Sequence, residues 1–177
     1  MQILIKLETK LNKKERGSIY ALQRSLFVWS KHLKKYLYYS SRPKWRLMLW
    51  ENNQLIGSVS IIKRKIKLGG RYKTIGGVGN LGVKKEFQGK ECARLMLKKT
   101  EGFMKKEKID FALLFCGKDR RGLYEKVGYE KMNKYATYYS GPKLNKEPIA
   151  MFLSINLTKE EISYLKDRVL HIGRETW

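Results

Sequence analysis

The chain has 177 residues, 42% hydrophobic and 31% charged, with Lys+Arg 39 against Asp+Glu 16 and a net charge of +23. That balance is a globular domain's rather than a disordered tail's, and no apolar run reaches the roughly 20 residues of a membrane span. Two cysteines, Cys92 and Cys116, and two isolated histidines, His32 and His171, exclude a disulfide framework and a clustered metal site. The charge attracts anions and repels a polycationic substrate. With no secretory signal at the start, a cytoplasmic setting is expected.

In chain order, residues 2–8 alternate weakly and read as a first strand. Asn12 with Glu15 three residues on has the form of a capping box. Ile19, Leu22, Leu26, Trp29, Leu33, Tyr36 and Leu37 follow the helical period, with Lys31, Lys34 and Lys35 on the other face. His32 reads as structural, and Gly17 as a break between two helices. The basic loop 40–44 closes the helical region at Pro43. A strand over 45–50, a turn at Asn52-Asn53 and a partner strand over 55–67 make a hairpin. Gly69-Gly70 turns the chain into a third antiparallel strand. It carries Gly76, Gly77, Gly79 and Gly82 and ends at Val83. Glycines weaken a strand, so they imply a bulge or a close approach to the backbone. A turn containing Gly89 leads into an amphipathic helix from about Cys92, with Ala93, Met96, Leu97, Phe103 and Met104 on one side and Arg94, Lys98, Glu101 and Lys105 towards solvent. Such a strand–turn–helix offers N–H groups to a phosphate. Residues 111–116 read as a buried central strand and 120–126 as a short helix stopped at Gly128. Residues 129–132 and 151–157 read as strands separated by a loop containing Gly141-Pro142, and 160–168 as a last short helix. No linker is evident, so 1–177 is read as a single domain.

The order of elements, with Val83, Phe87-Gln88-Gly89-Lys90, Ala93 and Leu123-Tyr124-Glu125-Lys126-Val127-Gly128-Tyr129, resembles the GNAT superfamily of acetyl-CoA-dependent N-acyltransferases. Within it the chain is most similar to the aminoglycoside 2'-N-acetyltransferases and the nodulation N-acyltransferases, through the glycine strand and the tail ending in Trp177. The resemblance implies an α/β (α+β) fold: a mixed, mostly antiparallel sheet flanked by helices and splayed after the glycine strand. It implies acetyl-CoA as acyl donor and no metal. The backbone of Leu81 and Val83 would hold the pantetheine arm and polarise the thioester. Gln88, Gly89, Lys90, Cys92 and Ala93 would wrap the pyrophosphate. Tyr124 would protonate the departing thiolate. Cys116 reads as a packed small hydrophobe.

Two positions depart from the family pattern. Glu91 stands where (Q/R)-x-x-G-x-(G/A) has glycine, and a carboxylate there repels a pyrophosphate. Gly79 stands where many relatives carry a basic Glu. The resemblance offers Trp177 instead, its indole as a wall and its carboxylate as an amine-binding group, with Asn80 placed to orient a water. The expected acceptor is a primary amine on a small molecule, with an anionic part to suit the basic 40–44 loop. An acidic acyl carrier protein is a compatible donor partner. An aminoglycoside acceptor is one alternative. A nucleic-acid-binding module on a decayed acyltransferase fold is another, suggested by the charge and by Tyr38, Tyr39, Tyr138 and Tyr139 among the lysines.

Overall fold

Strand β1 (Gln2–Leu7) leads into a short 3-10 turn and helix α1 (Lys13–Leu26). Strands β2 (Trp45–Glu51), β3 (Gln54–Leu68) and β4 (Arg71–Val83) follow, then α2 (Cys92–Lys106), β5 (Phe111–Phe115), α3 (Arg121–Glu125) and β6 (Glu130–Lys131). Strands β7 (Ala136–Ser140), β8 (Lys143–Glu147) and β9 (Ala150–Ser154), helix α4 (Lys159–Asp167) and β10 (Leu170–Arg174) complete the chain. These come from a computed structural model that describes residues 1–28, 30 and 41–177. A seven-stranded sheet has the order β1-β2-β3-β4-β5-β9-β6, and a three-stranded sheet the order β10-β7-β8. This is the mixed, mostly antiparallel α/β architecture expected from the sequence. The chain divides into two compact units, one of residues 1–62, 78–100 and 177, the other of 63–77 and 101–176.

In the first unit β1 pairs antiparallel with β2 from Gln2↔Trp50 to Leu7↔Trp45, and β2 with β3. Asn52 and Asn53 both take positive φ, 46° and 59°, the turn that matches strand twist in a two-residue hairpin. Leu47, Met48 and Leu49 are all fully buried, so both faces of β2 are covered rather than one. On one face lies α1, whose Ile19 and Leu22 join Leu11, Met48 and Leu55 in a cluster. The helix opens on the expected box: Asn12 Oδ1 accepts the Glu15 N–H and the Glu15 carboxylate accepts the Asn12 N–H, each at 2.9 Å. Arg46 is fully buried in β2, and its Nε and Nη2 donate to the two Glu8 carboxylate oxygens at 3.1 Å each. Such a bidentate fork makes a buried charge tolerable.

In the second unit Ile75, Gly76 and Gly77 of β4 pair in parallel with Phe111, Ala112 and Leu113 of β5. Strand β5 pairs antiparallel with β9, and Phe111 and Phe152 are fully buried between them and their neighbours. Helix α4 opens on a second capping box, Thr158 with Glu161.

Four expectations change. Helix α1 runs through Gly17 without a break, because an exposed glycine weakens a helix by only about 1 kcal/mol. The presumed loop around Gly141-Pro142 is the turn of a β7–β8 hairpin, and the tail forms β10, parallel to β7. Glu101 of α2 is mostly buried, its side chain 17% exposed beside Lys105. Trp29, His32, Leu33, Tyr36, Leu37, the lysines beside them, Tyr38, Tyr39 and Ser40 lie outside the described residues.

Candidate active site

The turn after β4 is built by its own backbone. The Lys84 N–H donates to Ile56 O at 2.8 Å, then Phe87 N–H to Lys84 O at 2.9 Å and Gln88 N–H to Lys85 O at 3.2 Å. The Gln88 side chain folds back and donates to Val83 O at 2.9 Å, which locks the strand end to the turn. Gly89 then takes φ 78° and Glu91 φ 59°, both left-handed. The first bond into α2 is Leu95 N–H to Glu91 O at 2.9 Å. Hence the N–H groups of Cys92, Ala93 and Arg94, in the first turn, have no acceptor within the helix. With the positive end of the helix dipole they form a cradle for an anion. Cys92 is buried and Ala93 half-buried, so these two contribute main chain only, while Gln88, Gly89 and Lys90 are exposed. The Lys90 ammonium lies 5.2 Å from the centre of the Phe87 ring.

Glu91 takes a left-handed conformation, which favours glycine, the residue the pattern has at this position. Its side chain is 72% exposed and its carboxylate lies 3.1 Å from the Arg94 guanidinium, one helical turn on. The carboxylate therefore has a cation beside it on the surface.

Along β4 the left-handed residue is Asn80, at φ 50°. That is the conformation of a bulge, and it falls on an asparagine, which tolerates it better than other non-glycine residues. The neighbouring glycines provide clearance instead. A Cβ at Gly82 would lie 2.7 Å from Leu26 Cδ1 of α1. A Cβ at Gly79 would lie 3.1 Å from Trp177 Cδ1, 3.3 Å from the Trp177 main-chain carbonyl carbon and 3.2 Å from Ser60 Oγ. The Ser60 hydroxyl donates to Gly79 O at 2.8 Å. So Trp177 seats on β4 at the position where the sequence lacks an acid. Leu81 is half-buried and Val83 buried.

Tyr124 belongs to the second unit, on α3. Its carbonyl accepts the Val127 and Tyr129 N–H groups at 3.1 Å each, and its ring meets Tyr129 edge-on at 5.9 Å. Burial, and then the neighbouring Cys116, push its phenol up to about 12. It is therefore a neutral proton donor at any physiological pH. Burial also raises the Cys116 thiol, whose hydrogen bond goes to Met151 Sδ at 3.6 Å. That is the inert thiol the sequence reading expects. In the same unit the tail is fastened: Arg64 Nη1 donates to Ile172 O at 2.7 Å and Glu175 O at 2.9 Å, and the Glu175 N–H to Tyr139 O at 2.7 Å. Sequence reasoning missed Arg64, because nothing local ties it to residues over a hundred positions away. It placed Asn80 at the acceptor site for its side chain and did not foresee its left-handed backbone, although Gly-Asn is a hairpin-turn signal. Among the described residues no three His, Cys, Asp or Glu groups gather to hold a metal ion. A cavity of about 530 Å³ opens beside the start of α1, lined among others by Asn12, Glu15, Trp50 and Glu51. None of residues 84–91 lines it.

The profile of the acetyltransferase (GNAT) domain matches residues 9–132. Comparison with curated protein sequences finds no match. Among solved structures the chain is similar to Escherichia coli YhbS, a GNAT family N-acetyltransferase in complex with CoA, at 14% identity and TM-score 0.65, over 99% of this chain and 91% of that one. It is similar to Escherichia coli ElaA at 14% identity and TM-score 0.64, over 86% and 99%. It is also similar to the ribosomal-protein-S18-alanine N-acetyltransferase of Escherichia coli at 15% identity and TM-score 0.60, over 90% and 97%. At these identities the structures speak for the fold. The domain match extends over most of the chain, and by it the protein belongs to the GNAT acetyltransferase family.

Proposed function

We propose that the protein transfers an acetyl group from acetyl-CoA to a primary amine of a small molecule that carries an anionic part. The observation that carries this reading is the turn 84–91. It ends in the unpaired N–H groups of α2, and its Glu91 carboxylate lies against Arg94. The pyrophosphate of CoA suits that cradle. The backbone of Leu81 and the Val83 N–H would receive the pantetheine arm on the part of β4 beyond its pairing with β5, which ends at Gly77, the Val83 carbonyl being held by Gln88. A backbone N–H there polarises the thioester carbonyl.

The amine attacks that carbonyl, a tetrahedral oxyanion forms, and its collapse expels the CoA thiolate. Tyr124, by its place in the L-Y-x-x-x-G-Y motif, supplies the proton that makes the leaving group a thiol. A phenol raised to about 12 holds its proton until a strong base forms. Trp177 on Gly79 walls the acceptor site, and Asn80 orients a water that takes the ammonium's proton. Few carboxylates are available to a polycation in a chain with net charge +23, which favours an anionic acceptor over an aminoglycoside. Family membership favours an enzyme over a scaffold that has lost its chemistry.

Thiol release from acetyl-CoA over a panel of amines, sorted by charge, tests the reading. Phosphorylated amines are expected to turn over faster than aminoglycosides. Tyr124→Phe should cut turnover about 10²-fold and leave CoA affinity intact. No thiol release with any amine would overturn the proposal. Full turnover in Tyr124→Phe, with chemistry rate-limiting, would return that residue to packing.

A further inference from the structure

The small sheet has one packed face and one open face. Residues two apart in a strand, and residues directly opposite across a ladder, share a face. On one side Ala136, Leu170 and Ile172 are buried. On the other, the register places Tyr139 opposite Leu144 in β8 and, past a register shift in β10 between His171 and Arg174 where Gly173 takes φ 89°, opposite Arg174. Thr137 on the same side stands opposite Lys146 and His171. Tyr139 is 41% exposed and Leu144 49%, and Lys146, His171 and Arg174 are exposed. The rings of Tyr139 and His171 meet edge-on, centroids 5.4 Å apart at 75°. The Thr137 hydroxyl lies 3.2 Å from His171 Nδ1 and fixes that imidazole. The Lys146 ammonium lies 4.9 Å from the centre of the Tyr135 ring.

The chemistry of this face is selective. Among the described residues its register positions carry no carboxylate: Glu147 pairs with Ala136 on the packed side. Its rings are a phenol and an imidazole held on a rigid sheet, and its cations flank them. Rigid rings between cations suit bases that stack while phosphates pair with lysine and arginine. A lipid surface would call for a larger apolar area than Leu144 provides. A net charge of +23 complements a polyanion and steers it to the protein.

We propose that the open face of the β10-β7-β8 sheet binds single-stranded nucleic acid, with Tyr139 and His171 stacking on bases and Lys146 and Arg174 pairing with phosphates. The proposal does not depend on the acyl-transfer chemistry.

The test is fluorescence anisotropy with labelled oligouridylate and oligothymidylate of about ten nucleotides. Either probe binding supports the proposal, and the stronger one tells whether RNA or DNA is the ligand. Tyr139→Ala should weaken binding about tenfold, while Tyr139→Phe, which keeps the ring, should bind as the parent does. Lys146→Ala with Arg174→Ala should flatten the salt dependence by about 0.7 in log–log slope for each phosphate that is no longer neutralised. Should Tyr139→Ala melt early, His171→Ala reads the same weakening from the other ring. Three results overturn the proposal: unchanged affinity in the ring variants, competition by inorganic polyphosphate as strong as by the oligonucleotides, or binding to phosphatidylserine vesicles with none to either probe.

Discussion

Glu91 carries the conflict between this sequence and its family pattern. A side chain in the left-handed region is strained by about 1–2 kcal/mol relative to glycine. Glycine in turn adds unfolded-state entropy worth about 0.5–1 kcal/mol, and the exposed pair with Arg94 contributes little. The strain is the larger by about 0.5–1 kcal/mol, so Glu91→Gly should raise the melting temperature slightly. What should change most is affinity for CoA, which is expected to tighten severalfold once the carboxylate is gone from beside the anion cradle. Weaker CoA binding in Glu91→Gly, by calorimetry, would show instead that this carboxylate serves the turn by holding Arg94. The residue scale also shows where pattern reading stopped short. Glycines on β4 suggested either a bulge or a close approach. The close approach is present, at Gly79 and Gly82, which admit Trp177 and Leu26, and the left-handed conformation falls on Asn80 rather than on a glycine. A left-handed residue can be guessed from Gly-Asn, but the side chain that fills a glycine's space comes from elsewhere in the chain and leaves no local mark.

Among the elements, those with a local cause were legible and those with a distant partner were not. The α1 start followed from Asn12 and Glu15 alone. The β2–β3 hairpin followed from Asn52-Asn53 between apolar runs. The β7–β8 hairpin was hidden because β8 puts Lys143, Asn145 and Glu147 on the packed side, where an alternating strand would show apolar residues. Strand β10 was hidden because its partner β7 lies some thirty residues earlier, in a parallel pairing that no turn announces. The start of α1 also supports a pH prediction. Burial works to raise the Glu15 carboxyl, but Lys6 and the Asn12 N–H together hold it below its usual 4.5. A depressed folded-state value means stability that is fully present above 4.5 and lost as pH falls through the depressed value. Glu15→Gln should therefore destabilise at neutral pH by about 1 kcal/mol. Its gap from the parent should close as pH falls below 4.5 and through the depressed value. A gap that stays constant across that range, in urea melts, would mean the carboxylate's charge contributes nothing to the cap.

For the whole molecule, the fold was readable because strand, helix, hairpin, glycine strand and turn–helix come in a fixed order with two motifs at the right separation. The anion cradle was readable for the same reason: 88–93 is a contiguous stretch whose backbone geometry follows from its own residues. The Arg64 clasp on the tail was not, since it joins positions 64, 172 and 175. The acceptor is the least legible part, because a small-molecule site is made of single side chains from many elements. The donor is the central claim, and titration calorimetry with CoA at low salt tests it most directly. The account expects one site per chain, with affinity that falls as salt is added, since backbone donors and Lys90 would hold the pyrophosphate. No heat, together with an unchanged melting temperature at about millimolar CoA, would contradict it.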